Sequence, residues 1–215
     1  MAIGAAGELF AAALDGSVFR FTTPLATPTP NGKLENLGVT DPEEIAFVDD
    51  ELWIPTTDYQ SCTTSAAKIT RVAFDASGAG SVAGVVQEPG IVTAGRGVLW
   101  DALSRTLYLG DCHSVDVIQP YHVASDHTLT ALAPASGGTI NNPHGMVLTS
   151  WGELLVSNAN TQQVLRFTVG AQGALTANGA ITDNGLNFPI GLSIAPWGRA
   201  DSRQPGRRLA VAFHV

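Results

Sequence analysis

The fold class that the sequence predicts is all-β: a β-propeller of about four, or five, four-stranded antiparallel blades. Two observations support this prediction, a repeat with a period of roughly 50 residues and a composition typical of short strands joined by turns. Only 14% of the residues are charged, 45% are hydrophobic, and glycine occurs 23 times. Segments with helical periodicity are nearly absent. The strand count leaves open whether the terminal blades are complete.

The repeat consists of a short apolar strand, a turn and a second apolar strand. Its first strands begin at Glu44, Gly97, Gly145 and Gly191, which are 53, 48 and 46 residues apart. Repeats of this length with several strands each are typical of propeller blades. We divide the one predicted domain, 1–215, into units of about 7–41, 42–90, 91–142 and 143–188, followed by a partial unit, 189–215.

A third strand that ends in arginine and an apolar residue follows in most units. It reads Val18–Phe21, Ile69–Val72 and Val164–Phe167, whereas the third unit has Val115–Ile118 without arginine. The alanine-rich segment Glu8–Leu14 favours helix by its composition, but it aligns with the second strand of the repeat. We predict a strand there because context overrides local propensity.

The predicted strands at the two ends of the chain do not add up to whole blades. The chain begins on what aligns as a second strand, Gly7–Leu14, and ends on another, Arg208–Val215, which gives 17 strands, one more than four blades hold. Three explanations stay open. The chain is a piece of a longer propeller, or the terminal hairpins share a blade, or Leu209–Phe213 pairs with a second copy in a homo-oligomer, since an unpaired apolar edge is otherwise a hazard.

The charge of the chain excludes some partners. Its formal net charge is −8, and such a field repels nucleic acid and anionic membrane surfaces, so we predict neither as a partner. No apolar stretch approaches the roughly 18 residues of a spanning helix. Residues 1–10 lack a basic region and contain Glu8, so we see no signal peptide. The compartment stays open between the cytoplasm and secretion after signal removal, and Cys62 and Cys112 do not decide it.

Three segments together resemble a known family. Pro143–Leu148, Trp151–Asn158 and Val164–Phe167 resemble the NHL-repeat and SMP-30/gluconolactonase-like propellers, and Pro189–Ile194 repeats the first of them. Such propellers include lactonases, lyases and binding scaffolds. The resemblance confirms the expected architecture and leaves the activity open.

The resemblance also implies a divalent cation, usually calcium, at the mouth of the channel. Lactonase-like members hold it with a glutamate at the start of one inner strand and with asparagine or aspartate from others. Glu43 or Glu44 matches that glutamate, whereas the corresponding positions in the other units are Arg96, His144 and Ile190.

Two rings of side chains are expected to converge on one face of the propeller. The inner ring precedes the first strands and comprises Glu43, Arg96, His144 and Ile190. The second ring follows the second strands and comprises Asp58, Asp111 and Asn158, with His113 and Asn160 beside them. A convergent polar pocket of this kind is the default candidate for a binding site.

Several kinds of chemistry are open to these rings. His144 could act as a general base, Arg96 could hold a carboxylate or an oxyanion, and Glu43 completes the catalytic candidates. Asp58 and Asp111, with Glu43 or Glu44, could bind Ca²⁺ or another hard cation. His113 and His144 with Asp111 could instead bind Zn²⁺. No cofactor is certain.

The same residues also have purely structural interpretations. Glu43 and Arg96 could simply pair with each other, and Asp58, Asp111 and Asn158 could cap turns. Our leading hypothesis is a binding propeller whose top face holds a small molecule or a partner protein. The alternatives are a metal-dependent hydrolase or lactonase of the SMP-30-like kind, and an architectural propeller that forms oligomers.

Overall fold

The computed structural model describes residues 1–22, 27–56, 68–86, 95–111, 116–135, 139–182 and 185–194, and the backbone of 211–214. These residues form 18 β-strands and two single turns of 3₁₀ helix, Ala159–Thr161 and Ala171–Gly173. Within the described part of the chain, no helix has the length and apolar character needed to cross a membrane.

Four antiparallel sheets of four strands each follow one another along the chain. The first blade contains β1 (Ala2–Ile3), β2 (Leu9–Ala12), β3 (Val18–Thr22) and β4 (Thr29–Leu34). The second contains β5 (Ala46–Val48), β6 (Glu51–Pro55), β7 (Ile69–Phe74) and β8 (Gly80–Val86). The third contains β9 (Gly95–Asp101), β10 (Thr106–Asp111), β11 (Val117–Val123) and β12 (Leu129–Ala131).

The fourth blade contains β13 (Pro143–Leu148), β14 (Glu153–Asn158), β15 (Gln163–Val169) and β16 (Leu175–Thr182). A two-stranded half-blade follows, formed by β17 (Gly191–Ile194) and β18 (Val211–His214). In each sheet the strands lie in chain order. The fold is therefore a β-propeller with four complete blades, as the repeat predicted.

Burial follows the order of the strands within a blade. Every residue of the second strands β6, β10 and β14 is buried, whereas the fourth strands β4 and β16 are mostly exposed. Apolar clusters fill the spaces between successive blades: one contains Phe10 and Leu52, another Trp53 and Leu107, and a third Tyr108 and Phe167. Each such side chain contributes about 1.5–3 kcal/mol by leaving water.

Glycines at the start of the inner strands let neighbouring blades approach closely. A Cβ atom on Gly97 would lie 2.1 Å from the carbonyl oxygen of His144, and one on Gly145 would lie 2.6 Å from that of Ile190. The Gly145 N–H donates to the Ile190 carbonyl at 2.9 Å. These contacts hold the inner strands around one channel, and they explain why the repeat has glycine at this position.

The prediction was wrong about the start of the chain. Residues Ala2–Ile3 pair with β2 and form a first strand, so the first blade is complete and begins before residue 7. A two-residue strand has too little periodicity to be recognised. Strand β2 confirms the strand predicted within Glu8–Leu14. The third strand of the third blade, Val117–Val123, overlaps the predicted Val115–Ile118 and continues five residues beyond it.

Side chains near the rim join one blade to the next, and we call these contacts rim clamps. Arg20 of the first blade forms two hydrogen bonds with Glu8 and donates from Nη1 to the Gly78 carbonyl, 2.8 Å away in the β7–β8 turn. Arg71 of the second blade pairs likewise with Glu51, and its Nη2 lies 2.7 Å from His127 Nδ1 in the β11–β12 turn.

The third blade, which lacks the arginine, forms its rim clamp differently. The Tyr108 hydroxyl donates to the Gly173 carbonyl at 3.2 Å, in the segment that joins β15 to β16. Burial, with the Asp101 carboxylate nearby, raises the pKa of Tyr108 to about 12, so the hydroxyl remains a donor. The absence of an arginine from the third strand of this blade is therefore compensated by a residue of the second strand.

Candidate small-molecule site at the mouth of the channel

Three side chains from three blades meet at one end of the channel. Glu43 precedes β5, Arg96 lies in β9 and His144 lies in β13. Arg96 Nη1 donates to Glu43 Oε1 at 2.9 Å, and His144 Nδ1 lies 3.0 Å from Glu43 Oε2. Their side chains are 11% or less exposed. The structure thus brings together the three candidate catalytic residues, and we call them the mouth cluster.

The hydrogen bonds of the mouth cluster favour one tautomer of His144. A carboxylate only accepts, so His144 donates from Nδ1 to Glu43. Arg96 Nη1, which only donates, lies 3.4 Å from Nε2, so Nε2 is placed to accept from it. The Glu43 carboxylate and the Arg96 guanidinium pair with opposite charges. Paired buried charges of this kind bring little net stability.

The backbone before the inner strands has an unusual shape at three places. The φ angle is 45° at Asp41, 58° at Asn142 and 48° at Phe188, and all three values lie in the left-handed region. Each precedes a proline, in the pairs Asp41–Pro42, Asn142–Pro143 and Phe188–Pro189. A positive φ is rare for a bulky residue such as phenylalanine, and strained backbone concentrates at functional sites. These turns direct the chain into the strands beside the mouth cluster.

A cavity of about 640 Å³ opens beside the mouth cluster. This volume is in the range of small-molecule sites. The walls combine apolar side chains with the charged groups. The lining residues are Met1, Ala12, Ala13, Leu14, Pro42, Glu43, Glu44, Arg96, Asn142, His144, Phe188, Ile190 and Gly191. All four residues of the predicted inner ring are among them.

Asn142 lines this cavity and carries a buried acceptor without a partner in the described part of the chain. The residue is 9% exposed, and among the described residues its side-chain Oδ1 has no hydrogen-bond partner. Its backbone is fixed, because its N–H donates to Asp116 at 2.9 Å and its carbonyl accepts from Ala159 N at 3.1 Å. A buried acceptor without a partner is costly, and this cost is tolerated at the edge of the cavity.

Glu44 occupies the position that is glycine in the three later inner strands. Its Oε2 accepts from the Val98 N–H at 3.1 Å, across the gap between β5 and β9. Burial raises the pKa of Glu44 to about 7, against the opposing effect of the Val98 hydrogen bond. It also lines a second cavity of about 510 Å³ farther along the channel.

The members of the second predicted ring that lie within the described residues do not join the mouth cluster. Asp111 and Asn158 are buried, and neither they nor Asn160 line the mouth cavity. Asn158 holds the loop before β13, because its Oδ1 accepts from Asn141 N and its Nδ2 donates to the Thr139 carbonyl, both at 2.6 Å. These contacts agree with the capping interpretation.

The remaining candidates contribute indirectly or lie outside the description. Asn160 reaches the cavity only through Asn142, whose Nδ2 lies 3.5 Å from Asn160 Oδ1. Asp58, His113 and both cysteines lie outside the described residues. For these positions the predicted roles stay predictions.

The described residues do not fit a divalent cation well. Among them, no three His, Cys, Asp or Glu side chains come together as metal ligands. Both oxygens of Glu43 already accept, one of them from a guanidinium, and that positive group would repel a cation. Calcium therefore stays a prediction from the family resemblance, and no chemistry is assigned to it here.

Two contributors to the cavity were missed in the sequence. Asn142 and Phe188 lie two positions before the inner-ring residues His144 and Ile190. The recurring proline between them was a usable signal, since a residue before proline shapes the entry to a strand. Their positive φ angles, and the free acceptor of Asn142, could not be read from the sequence.

Comparisons with solved structures agree with this fold. A periplasmic gluconolactonase from Pseudomonas aeruginosa is 14% identical over 92% of this chain, with a TM-score of 0.63. A gluconolactonase from Xanthomonas campestris is 13% identical over 89%, with a TM-score of 0.60. A catalytically inactive virginiamycin B lyase from Staphylococcus aureus, with quinupristin, is 15% identical over 98%, with a TM-score of 0.60.

The chain spans 61–63% of the length of these three proteins. No protein-family profile and no curated protein sequence matches it. At these identities the likeness defines the class as a β-propeller and defines no activity. The structural neighbours are gluconolactonase-like and lyase propellers, in agreement with the architecture that the sequence predicted.

Proposed function

We propose that the mouth cavity binds a neutral, hydroxylated small molecule with a carbonyl group, a class that includes sugar lactones. The observation that supports this most is the mouth cluster itself: Glu43, Arg96 and His144 converge from three blades beside a cavity of about 640 Å³. None of the three repeats at its equivalent positions, so the blade architecture does not require them.

The balance of charge favours a neutral ligand over an anion. Arg96 is already neutralised by Glu43, Glu44 adds acidic character to the same cavity, and the chain as a whole has a net charge of −8. An anion would therefore meet a repulsive field. A carbonyl oxygen would still accept from the Arg96 guanidinium without introducing charge.

The polar and apolar walls favour a ring with hydroxyl groups. Asn142 and the mouth cluster contribute polar groups to one wall of the cavity. Phe188, 46% exposed, and Ile190, 38% exposed, offer apolar surface to the C–H groups of a ring. A ligand with both kinds of surface would satisfy both walls, as is usual for small-molecule sites.

Titration calorimetry tests this proposal with glucono-δ-lactam, an amide analogue of the lactone that resists hydrolysis. We expect a dissociation constant between about 10 µM and 1 mM, and markedly weaker binding of gluconate. Asn142→Gly removes this polar side chain while tolerating the positive φ, and it should weaken lactam binding about tenfold. Asn36→Gly, at an exposed residue with the same φ of 58° away from the cavity, is the matched control. Equal binding of lactam and gluconate would refute the proposal, and so would the absence of any lactam binding.

Lactone hydrolysis is a second candidate, favoured by the Glu43–His144 contact at 3.0 Å and by the activity named for two structural neighbours. Here His144 Nε2 would take a proton from water while the hydroxide oxygen bonds to the lactone carbonyl carbon. Arg96 would stabilise the oxyanion. The ring C–O bond would then break, and the leaving ring oxygen would take from His144 the proton that came from water.

A pH-stat measures this reaction through the acid released from glucono-δ-lactone. Catalysis above the spontaneous rate, abolished by His144→Gln while lactam binding persists, would support hydrolysis. Lactam binding without any rate enhancement would leave binding as the function.

A further inference from the structure

Asparagine–glycine pairs occupy the same place in the first and fourth blades. Asn31–Gly32 lies in β4 opposite Arg20, where two residues of the fourth strand face one residue of the third. Asn178–Gly179 lies in β16 opposite Arg166 in the same arrangement. The glycine has a φ of 93° in the first blade and 83° in the fourth. Both pairs are therefore β-bulges that depend on the conformational freedom of glycine.

Both asparagines donate to the glutamate that pairs with the arginine of the same blade. Asn31 Nδ2 lies 2.6 Å from Glu8 Oε1, and Asn178 Nδ2 lies 2.5 Å from Glu153 Oε1. A carboxylate only accepts, so it is the amide nitrogen that faces each glutamate. Glu8 accepts at the same time from Arg20, at 2.8 Å and 3.1 Å. Each asparagine thus adds a neutral donor to a glutamate–arginine pair.

The peptide group between the two residues of each pair is open. Both asparagines and both glycines are exposed, and a Cβ on Gly32 or Gly179 would meet no other described part of the chain within 4 Å. The backbone nitrogen that follows an asparagine can bond to its side-chain carbon, and glycine hinders this approach least because it has no side chain. Asparagine is a thermolabile residue. Asn31 and Asn178 therefore have both the neighbour and the space that cyclisation of the side chain needs.

We propose that Asn31 and Asn178 are sites of spontaneous deamidation, and that the acid formed at each site weakens the glutamate–arginine pair beside it. First the glycine nitrogen bonds to the asparagine Cγ, the Cγ–Nδ2 bond breaks, and ammonia leaves with the proton that the glycine nitrogen loses. Water then opens the cyclic imide. Addition at Cγ gives aspartate, and addition at the main-chain carbonyl carbon gives isoaspartate, so one water is consumed for each ammonia released.

The product places a carboxylate where Glu8 now has a donor. Neither carboxylate can donate to the other, and like charges on neighbouring strands repel. Both would compete for Arg20, which now divides its N–H groups between Glu8 and the Gly78 carbonyl of the second blade. Isoaspartate also adds one carbon to the main chain of the bulge. The rim clamp between the first and second blades should therefore weaken.

The second blade shows that the bulge does not require asparagine. Its bulge opposite Arg71 contains Ala83–Gly84, and the additional contact to its glutamate–arginine pair comes from His127 of the third blade. An alanine side chain has no carbonyl carbon that a backbone nitrogen could attack. The first and fourth blades therefore carry a chemical liability that the second blade lacks.

Peptide mapping by mass spectrometry measures the conversion in the whole chain during incubation at mildly alkaline pH. A synthetic peptide of residues 29–34 gives the rate for the same asparagine–glycine pair without the fold. We expect Asn31 and Asn178 to deamidate at no less than about one-tenth of the peptide's rate. Asn184, which also precedes a glycine, lies outside the described residues and is mapped separately.

Asn36 is the control within the same chain. It is exposed as well, but Leu37 follows it, and the leucine side chain hinders the backbone nitrogen. Asn36 should therefore remain an amide during the same incubation. Asn31→Gln should also remain unmodified, because its longer side chain would have to close a larger ring. Retention of both Asn31 and Asn178 while the peptide deamidates would overturn the proposal.

Aspartate variants test the effect of the acid directly. Asn31→Asp and Asn178→Asp should each lower the Tm by about 2–4 °C at pH 7. The loss should be smaller at pH 3, where the new carboxyl and the neighbouring glutamate are largely protonated. Asn36→Asp adds the same charge away from both pairs and should have the smaller effect. Aspartate variants at 31 and 178 that match Asn36→Asp in Tm would also overturn the proposal.

Discussion

The rim clamps and the mouth cluster use the same chemistry in two places with different results. Both contain a glutamate paired with an arginine, and both involve a histidine, His127 at the rim and His144 at the mouth. At the rim, the glutamate–arginine pair recurs in three blades at equivalent positions. At the mouth, each residue comes from a different blade and none recurs.

This difference separates architecture from function. A contact that recurs from blade to blade serves the packing of one blade on the next. A residue that departs from the repeat is not required for that packing, so a different role must account for it. Glu44 in place of glycine, and Arg96 and His144 beside the cavity, are interruptions of this kind, and they lie together. In a repeat protein, the departures from the repeat are therefore the first candidates for a site.

The largest effect is expected where the repeat is tightest, at Gly97. Gly97→Ala would place a Cβ 2.1 Å from the His144 carbonyl oxygen, so β9 and β13 must separate, at a cost of about 3 kcal/mol or more. Urea denaturation measures it. Gly84→Ala, whose Cβ would meet only Arg71 Nη1 at 3.7 Å, is the control. Equal stability of the two variants would show that the inner strands are not in close contact.

The next largest effect on stability is expected at the rim clamp of the second blade. The pairing with Arg71 holds the pKa of Glu51 below its ordinary value, so the stabilisation is present above about pH 4.5 and is lost as the pH falls through the folded pKa. Glu51→Gln should cost about 2–3 kcal/mol at pH 7 and much less at pH 3. Denaturation at both values measures this.

Asp49→Asn provides the comparison for that clamp. It breaks an ion pair with Arg105 in which both side chains are about one-third exposed, and exposed pairs contribute little. A pH-independent effect of Glu51→Gln, or an equal effect of Asp49→Asn, would mean that the clamp does not hold the blades.

A smaller effect with the opposite sign is expected at Glu44. Burial raises its pKa from 4.5 to about 7, so the folded chain binds this proton more tightly than the unfolded chain, and stability falls as the pH rises from about 4.5 to 7. Glu44→Gln keeps the acceptor for Val98 N–H and should be more stable than wild type by about 1–2 kcal/mol at pH 8. At pH 4 the two should be equal. A Glu44→Gln variant that is less stable than wild type at pH 8 would contradict the raised pKa of Glu44 in the folded chain.

Much of the fold could be predicted because the period of the repeat and the positions where its first strands begin can be read directly from the sequence. The inner ring was predicted for the same reason, since residues at equivalent positions of radial repeats must lie on one face. The strand at Ala2–Ile3 was missed because two residues make no pattern. The free acceptor of Asn142 depends on where its neighbours' hydrogen bonds go, and the clamp of Tyr108 replaces an arginine from a different strand. Neither has a sequence signature.

The central claim is that the mouth cluster serves a ligand, whereas the rim clamps serve stability. Lactam titration and urea denaturation of Arg96→Gln and Arg71→Gln, measured side by side, test it most directly. The account predicts that Arg96→Gln loses lactam binding at least tenfold, and that Arg71→Gln loses stability and keeps its affinity. An Arg96→Gln variant that folds and binds the lactam like wild type, or a folded Arg71→Gln variant that loses lactam binding, would contradict it.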